Sequence, residues 1–126
     1  MTREDRAMPT IVLIVDDEPD ICEALAELLT AEGFVVRTAR DGAAAIESVV
    51  LHRPDLVLLD IDMPRLRGVE TLTAIRALRP GARVIMMSGK ADLDEAKRSL
   101  AAGAFDYVMK PFDLGYLDQA IRAAVC

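Results

Sequence analysis

Four short apolar runs in this chain each end on a polar group of the kind that phosphate chemistry uses. Ile11 to Val15 ends on Asp16-Asp17, Leu56 to Leu59 on Asp60, Val84 to Met87 on Ser88, and Tyr107 to Met109 on Lys110. In an open parallel sheet, ligands bind outside the carboxyl ends of the strands, so these groups are expected to converge on one crevice. Three carboxylates, a hydroxyl and an ammonium in one place point to a metal ion and a phosphoryl group.

The intervening sequence supports such a sheet. Pro19 opens a helical pattern through about Glu32, with Ile21, Leu25, Leu28 and Leu29 on one face and Gly33 as the stop. Phe34 to Ala39 reads as a strand, Gly42 to about His52 as an Ala-rich helix, and Asp55 to Asp60 as a fully buried strand. A third helix spans about Gly68 to Leu78, with Val69, Leu72, Ile75 and Leu78 at helical spacing before Pro80-Gly81 ends it. Arg83 to Met87 is the fourth strand and Asp92 to Ala102 the fourth helix, with Asp92 and Glu95 placed as a cap and its N3 partner. Phe105 to Met109 is the fifth strand, and the last helix follows from Phe112.

Five strand–helix repeats without a long linker predict an α/β fold, a doubly wound five-stranded parallel sheet covered on both faces by right-handed crossovers. Several strand orders satisfy that pattern. The flavodoxin-like order 2-1-3-4-5 places the first and third strands side by side, which brings Asp16, Asp17 and Asp60 together. With 126 residues, 52% of them hydrophobic, the chain has the material for one core. Residues 1–9 read as a tail and 10–126 as the domain.

Charge and cysteine usage exclude other classes. Lys+Arg 15 against Asp+Glu 21 gives a net charge of −6, which argues against direct DNA binding. The opening MTREDRAMPT has no apolar core, and no stretch approaches the roughly 18 apolar residues of a membrane span, so the expectation is a cytoplasmic protein without membrane association. Cys22 and Cys126 form neither a metal pair nor a disulfide framework, and His52, at a helix end beside Arg53-Pro54, receives no role.

IVLIVDDEP at Ile11 to Pro19, LLDIDMPRLRG at Leu58 to Gly68, VIMMSGKAD at Val84 to Asp92 and GAFDYVMKPF at Gly103 to Phe112 together resemble the receiver domain of bacterial two-component response regulators. The resemblance spans about Pro9 to Ala124, with the motifs in the family's order. It implies that Asp60 receives a phosphoryl group as an aspartyl phosphate. It implies that Asp17, Asp60 and the backbone carbonyl of Asp62 bind Mg²⁺ directly, with Mn²⁺ as a substitute, and that Asp16 acts mostly through a bound water. Lys110 and Ser88 match the residues that meet the phosphoryl oxygens, Tyr107 matches a switch aromatic that turns inward as Ser88 moves, and the Lys110-Pro111 bond is expected to be cis, aiming the ammonium into the cleft. The implied partners are a sensor histidine kinase or histidine phosphotransfer protein upstream and a protein or output domain downstream. The implied partner face is the fourth helix, fifth strand and fifth helix, with a phosphorylation-dependent homodimer among its uses.

Taken singly, these residues have plainer readings. Asp16-Asp17 can be a helix-capping pair, Ser88 before Gly89 a turn residue, Lys110 a solvated strand-end charge, Tyr107 a half-buried edge aromatic, and Arg65 and Arg67 solvated loop charges. Asp62 and Lys90 are charged where many members of the family are not; Lys90 is expected to tune phosphate lifetime by pairing with Asp62 or with the phosphoryl group. Asp60-Ile61-Asp62 also resembles the paired aspartates of haloacid dehalogenase-type phosphatases, but there the pair ends the first strand, whereas here it ends the third. A fold-retaining module that takes up no phosphate is a further alternative. The sequence shows no helix-turn-helix, zinc-ligand array or basic segment after the last helix, which leaves a stand-alone receiver or a piece of a longer regulator.

Overall fold

The computed structural model describes residues 9–125. The expected tail therefore lies outside the described residues except for Pro9, as does Cys126. The elements follow in strict alternation: β1 (Ile11–Val15), α1 (Pro19–Ala31), β2 (Val35–Ala39), α2 (Gly42–His52), β3 (Leu56–Asp60), α3 (Gly68–Leu78), β4 (Arg83–Ser88), α4 (Leu93–Ala101), β5 (Asp106–Met109) and α5 (Leu114–Val125). All ladders are parallel and the strand order is β2-β1-β3-β4-β5.

Alternate side chains of each central strand point to opposite faces, and those of Ile11 to Val15, Leu56 to Leu59 and Val84 to Met87 are all apolar. Val12, Ile14, Leu56, Leu58, Ile85, Met87 and Val108 pack against Leu25 and Leu29 of α1 and Leu117 and Ile121 of α5. Leu13, Val15, Val57, Leu59, Val84 and Met86 pack on the other face against Ala45 and Val49 of α2 and Leu72 and Ile75 of α3. Burying one such side chain stabilises the fold by about 1.5–3 kcal/mol, which explains why β1 and β3 are continuous apolar runs rather than alternating ones.

Local chemistry moves several element ends from their expected positions. Phe34 is not in β2, because its amide donates to the Leu29 carbonyl and completes the last turn after α1. The last helix begins at Leu114 rather than Phe112: the Asp113 side chain accepts the Tyr116 amide at 3.1 Å and caps α5. Asp92 caps α4 by accepting the Glu95 amide at 3.0 Å, as expected. The reciprocal half of the capping box is absent, since the Asp92 amide already donates to the Lys90 carbonyl at 3.0 Å and leaves the Glu95 carboxylate for another partner. Gly33 and Gly103 adopt positive φ after α1 and α4, where a side chain is disfavoured.

Helix α4 is the least anchored helix. Ser99 is its one buried residue, while Leu93 and Leu100 are 69% and 48% exposed. Every other helix places at least two residues in the core.

Candidate functional site

The parallel register builds the site from the backbone upward. Val15 pairs with Leu59 across β1 and β3, so Asp16 and Asp60, each one step further along, emerge side by side at the carboxyl edge. Asp60 is in register with Met87 of β4, and Ser88 with Met109 of β5, which carries Ser88 and Lys110 to the same edge.

The side chains meet there. Lys110 Nζ lies 3.0 Å from Asp16 Oδ2 and 3.2 Å from Asp60 Oδ2, with Glu18 Oε1 at 3.5 Å. Asp16 is fully buried and Asp60 is 1% exposed, so the ammonium is the counter-charge that allows two desolvated carboxylates to sit together. The second oxygen of each is also satisfied: Asp16 Oδ1 accepts the Glu18 amide at 2.9 Å and Asp60 Oδ1 the Asp62 amide at 3.0 Å. Burial raises the Asp60 carboxyl above its usual value, with the Asp16 charge adding to the rise and the Asp62 amide and Lys110 opposing it. For Lys110, burial alone would lower the ammonium; its hydrogen bond to Asp16 and the charges of Asp60 and Asp16 outweigh burial and raise it. The Lys110-Pro111 peptide bond is cis, as expected.

Carboxylate oxygens of Asp16, Asp17 and Asp60 all lie within 4.8 Å of one another. A cation bound at about 2.1 Å to each ligand separates its oxygens by roughly 3–4 Å, so the three groups fit one small, hard, oxygen-seeking ion. Asp17 is exposed and free to turn toward such an ion. The capping alternative for the pair fails in one respect: the N-cap of α1 is Glu18, with no side-chain cap, and Asp16 bonds the amide of that residue rather than one inside the helix.

The Ser88 hydroxyl is fully buried and donates to Asp62 Oδ1 at 3.0 Å. Asp62 Oδ2 accepts the Gly89 amide at 2.6 Å. The expected pairing of Lys90 with Asp62 is not made among the described residues, because the Asp62 carboxylate is turned to the end of β4; Lys90 contributes its backbone amide to Ser88 Oγ instead, at 3.0 Å. Tyr107 is half-buried, and its hydroxyl donates to Glu95 Oε1 at 3.1 Å; its side chain also lines a cleft of about 300 Å³ with Leu93 and Ala96 of α4 and Met109 of β5. Sequence reasoning missed Glu18 as a third partner of Lys110, Glu95 as the partner of Tyr107, and the clasp made by the Asp62 side chain. The first had a visible signal, lying two residues past Asp16; the other two depend on loop and rotamer geometry.

A doubly wound parallel sheet with an acidic cleft that could hold a metal ion, and with a largely buried lysine and a hydroxyl at the same edge, defines a flavodoxin-like domain. Residues 12–122 match the response regulator receiver domain family, and the chain belongs to it. Among curated relatives, the transcriptional regulatory protein PrrA of Mycobacterium tuberculosis is 43% identical over 112 residues, covering 89% of this chain and 48% of that protein. The regulatory protein KdpE of the same organism is 41% identical over 116 residues, covering 92% and 51%. The chain thus spans about half the length of these relatives. A CheY-like receiver domain protein from Methanospirillum hungatei superimposes with a TM-score of 0.88 at 33% identity, covering 94% of both chains. The family role is that of a phosphorylation-dependent signalling switch in two-component systems. No helix among the described residues is long and apolar enough to cross a membrane.

Proposed function

We propose that Asp60 is the phosphoacceptor of this receiver domain, taking a phosphoryl group from a sensor histidine kinase or a histidine phosphotransfer protein. In that step an Asp60 carboxylate oxygen bonds to phosphorus, the phosphorus–nitrogen bond of the donor phosphohistidine breaks, and the departing imidazole keeps the electron pair and takes up a proton. The observation that carries the reading is the convergence of Asp60 with Asp16, Asp17 and Lys110 in one cleft. Asp16, Asp17, Asp60 and the Asp62 backbone carbonyl are the candidate holders of Mg²⁺, for which Mn²⁺ can substitute; the ion supplies positive charge against the repulsion between carboxylate and phosphoryl oxygens.

The chain's own residues do the rest. Two like charges at about 4 Å repel by roughly 4 kcal/mol at an effective dielectric near 20, so Lys110, already between two carboxylates, is the group to follow the added charge onto a phosphoryl oxygen. Ser88 donates its hydroxyl to another. Its movement frees space beside Tyr107, whose hydroxyl leaves Glu95, and the change reaches α4. The α4–β5–α5 face already exposes Leu93, Leu100, Met109, Leu114 and Tyr116, which supports its use by a downstream protein, an output domain or a phosphorylated second copy. The domain comprises residues 10–126 in this reading and works in the cytoplasm without contacting DNA itself. An aspartate-nucleophile phosphatase is disfavoured, since the Asp62 carboxylate is engaged with Ser88 and Gly89 and the matched relatives are regulators.

Mass spectrometry after incubation with acetyl phosphate and Mg²⁺ tests the proposal. One added phosphoryl group on the wild type and none on Asp60→Asn is the expected result. Labelling that survives Asp60→Asn, or rapid multiple turnover of phosphate monoesters, overturns it.

A further inference from the structure

The Asp62 carboxylate occupies both donors at the end of β4. Its Oδ1 takes the Ser88 hydroxyl at 3.0 Å and its Oδ2 the Gly89 amide at 2.6 Å. The hydroxyl has one proton to give, and the Lys90 amide donates into the same oxygen at 3.0 Å, which fixes the direction of that proton. Of the acceptors in reach, the Lys90 carbonyl stands at 3.3 Å and the Tyr107 hydroxyl is a neutral group that gives its own proton to Glu95, whereas the Asp62 oxygen is charged and stands at 3.0 Å. Gly89 eases the approach, because a Cβ there would stand 3.3 Å from Asp62 Oδ2, slightly tighter than ordinary contact.

Adjacent donors converging on the oxygens of one anion form an anion seat. The seat lies on β4, next to β3 and Asp60, and the anion now in it belongs to the chain. We infer that the Asp62 side chain is an internal stand-in for the phosphoryl group, holding Ser88 Oγ–H and Gly89 N–H in the unphosphorylated protein so that a phosphoryl group on Asp60 has to displace it. The inference rests on the reading of Asp60 as the phosphoacceptor. It makes Asp62 a positioning residue that opposes switching: the resting position of Ser88 is held by a charge-assisted bond, and the incoming anion competes with a carboxylate already seated.

Beryllium fluoride, which binds carboxylates as a phosphoryl mimic, separates the possibilities in the full chain with Mg²⁺. The Gly89 amide proton, followed by nuclear magnetic resonance in the metal-free, unliganded protein, is expected far downfield and to move upfield in Asp62→Ala. Asp62→Ala is expected to bind beryllium fluoride about 5-fold or more tightly than wild type, the lower end of ordinary coupling between sites, with the uncharged acceptor of Asp62→Asn giving an intermediate value. An unmoved Gly89 resonance, or unchanged or weaker binding by folded Asp62→Ala and Asp62→Asn, overturns the inference while wild-type binding leaves Asp60 as acceptor. Failure of the wild type to bind, with Asp60→Asn behaving alike, overturns the acceptor reading and this inference with it.

Discussion

Lys110 is the residue on which the resting cleft depends. Its ammonium lies within 3.2 Å of both Asp16 and Asp60, whose carboxylates are almost wholly shielded from bulk solvent. Lys110→Ala is therefore expected to destabilise the metal-free protein by about 3 kcal/mol, the lower end of what removing one partner from a buried pair costs. Urea denaturation checks this, and a loss under about 1 kcal/mol would show that solvent already screens the carboxylates. Asp60→Asn acts in the opposite sense. It removes a charge that burial and Asp16 both disfavour, while keeping an acceptor for the Asp62 amide, so the metal-free variant should be at least as stable as wild type by the same measurement. A large destabilisation would mean that the ion pair with Lys110 outweighs the repulsion.

At the scale of elements, α4 is the helix that packing leaves loose and polar bonds hold. Its tie to β5 is the Tyr107–Glu95 hydrogen bond, made with the carboxylate that the capping box does not use. Glu95→Gln weakens that tie without changing shape, and hydrogen exchange of α4 amides should accelerate while exchange in α1 and α3 stays as it was. Equal acceleration everywhere would mean global destabilisation instead. The same bond predicts a titration. Burial is the main cause that raises the Tyr107 phenol above its ordinary value; the Ser88 hydrogen bond opposes it, and the Glu95 hydrogen bond with the Glu95 and Asp62 charges adds to it, whereas for Tyr116 the hydrogen bond to Asp106 is the main cause. The stabilisation from each neutral phenol is thus complete below the ordinary phenol pKa and is lost as pH rises through the folded value. With two tyrosines in the chain, phenolate absorbance should show both transitions displaced upward, and Glu95→Gln should lower that of Tyr107 alone. The strands and helices themselves were legible because short continuous apolar runs and a period of 3.6 are local properties of sequence. The ends at Phe34 and Phe112 were not, since they turn on which carbonyl or carboxylate an amide finds once the chain has folded.

For the whole molecule, the cleft was readable in outline because parallel register converts strand ends into neighbours whatever their distance in sequence. Asp16 and Lys110 are 94 residues apart in sequence, yet their charged groups lie 3.0 Å from one another. What the sequence left open is the direction of individual side chains around the cleft: Asp62 turned to Ser88 rather than to Lys90, and Tyr107 joining Glu95, are outcomes of loop and rotamer geometry that composition and spacing do not encode. That long-range construction has a thermodynamic consequence. Asp16 and Asp17 follow β1 and Asp60 ends β3, so any ion that engages them binds the folded chain and not the unfolded one, where the ligands are scattered. Mg²⁺ at about 100 times its dissociation constant should therefore raise the unfolding free energy by about 2.7 kcal/mol, seen as a higher urea midpoint at unchanged slope and reversed by chelation. Asp17 is the variant to compare, because it is exposed and lies outside the Lys110 ion pairs, so Asp17→Asn should leave the metal-free midpoint nearly where it was while abolishing most of the Mg²⁺ effect. An equal Mg²⁺ shift in wild type and Asp17→Asn would place the ion elsewhere and break the link between the acidic trio and metal binding; no shift in either would remove the metal from this cleft in the unphosphorylated state.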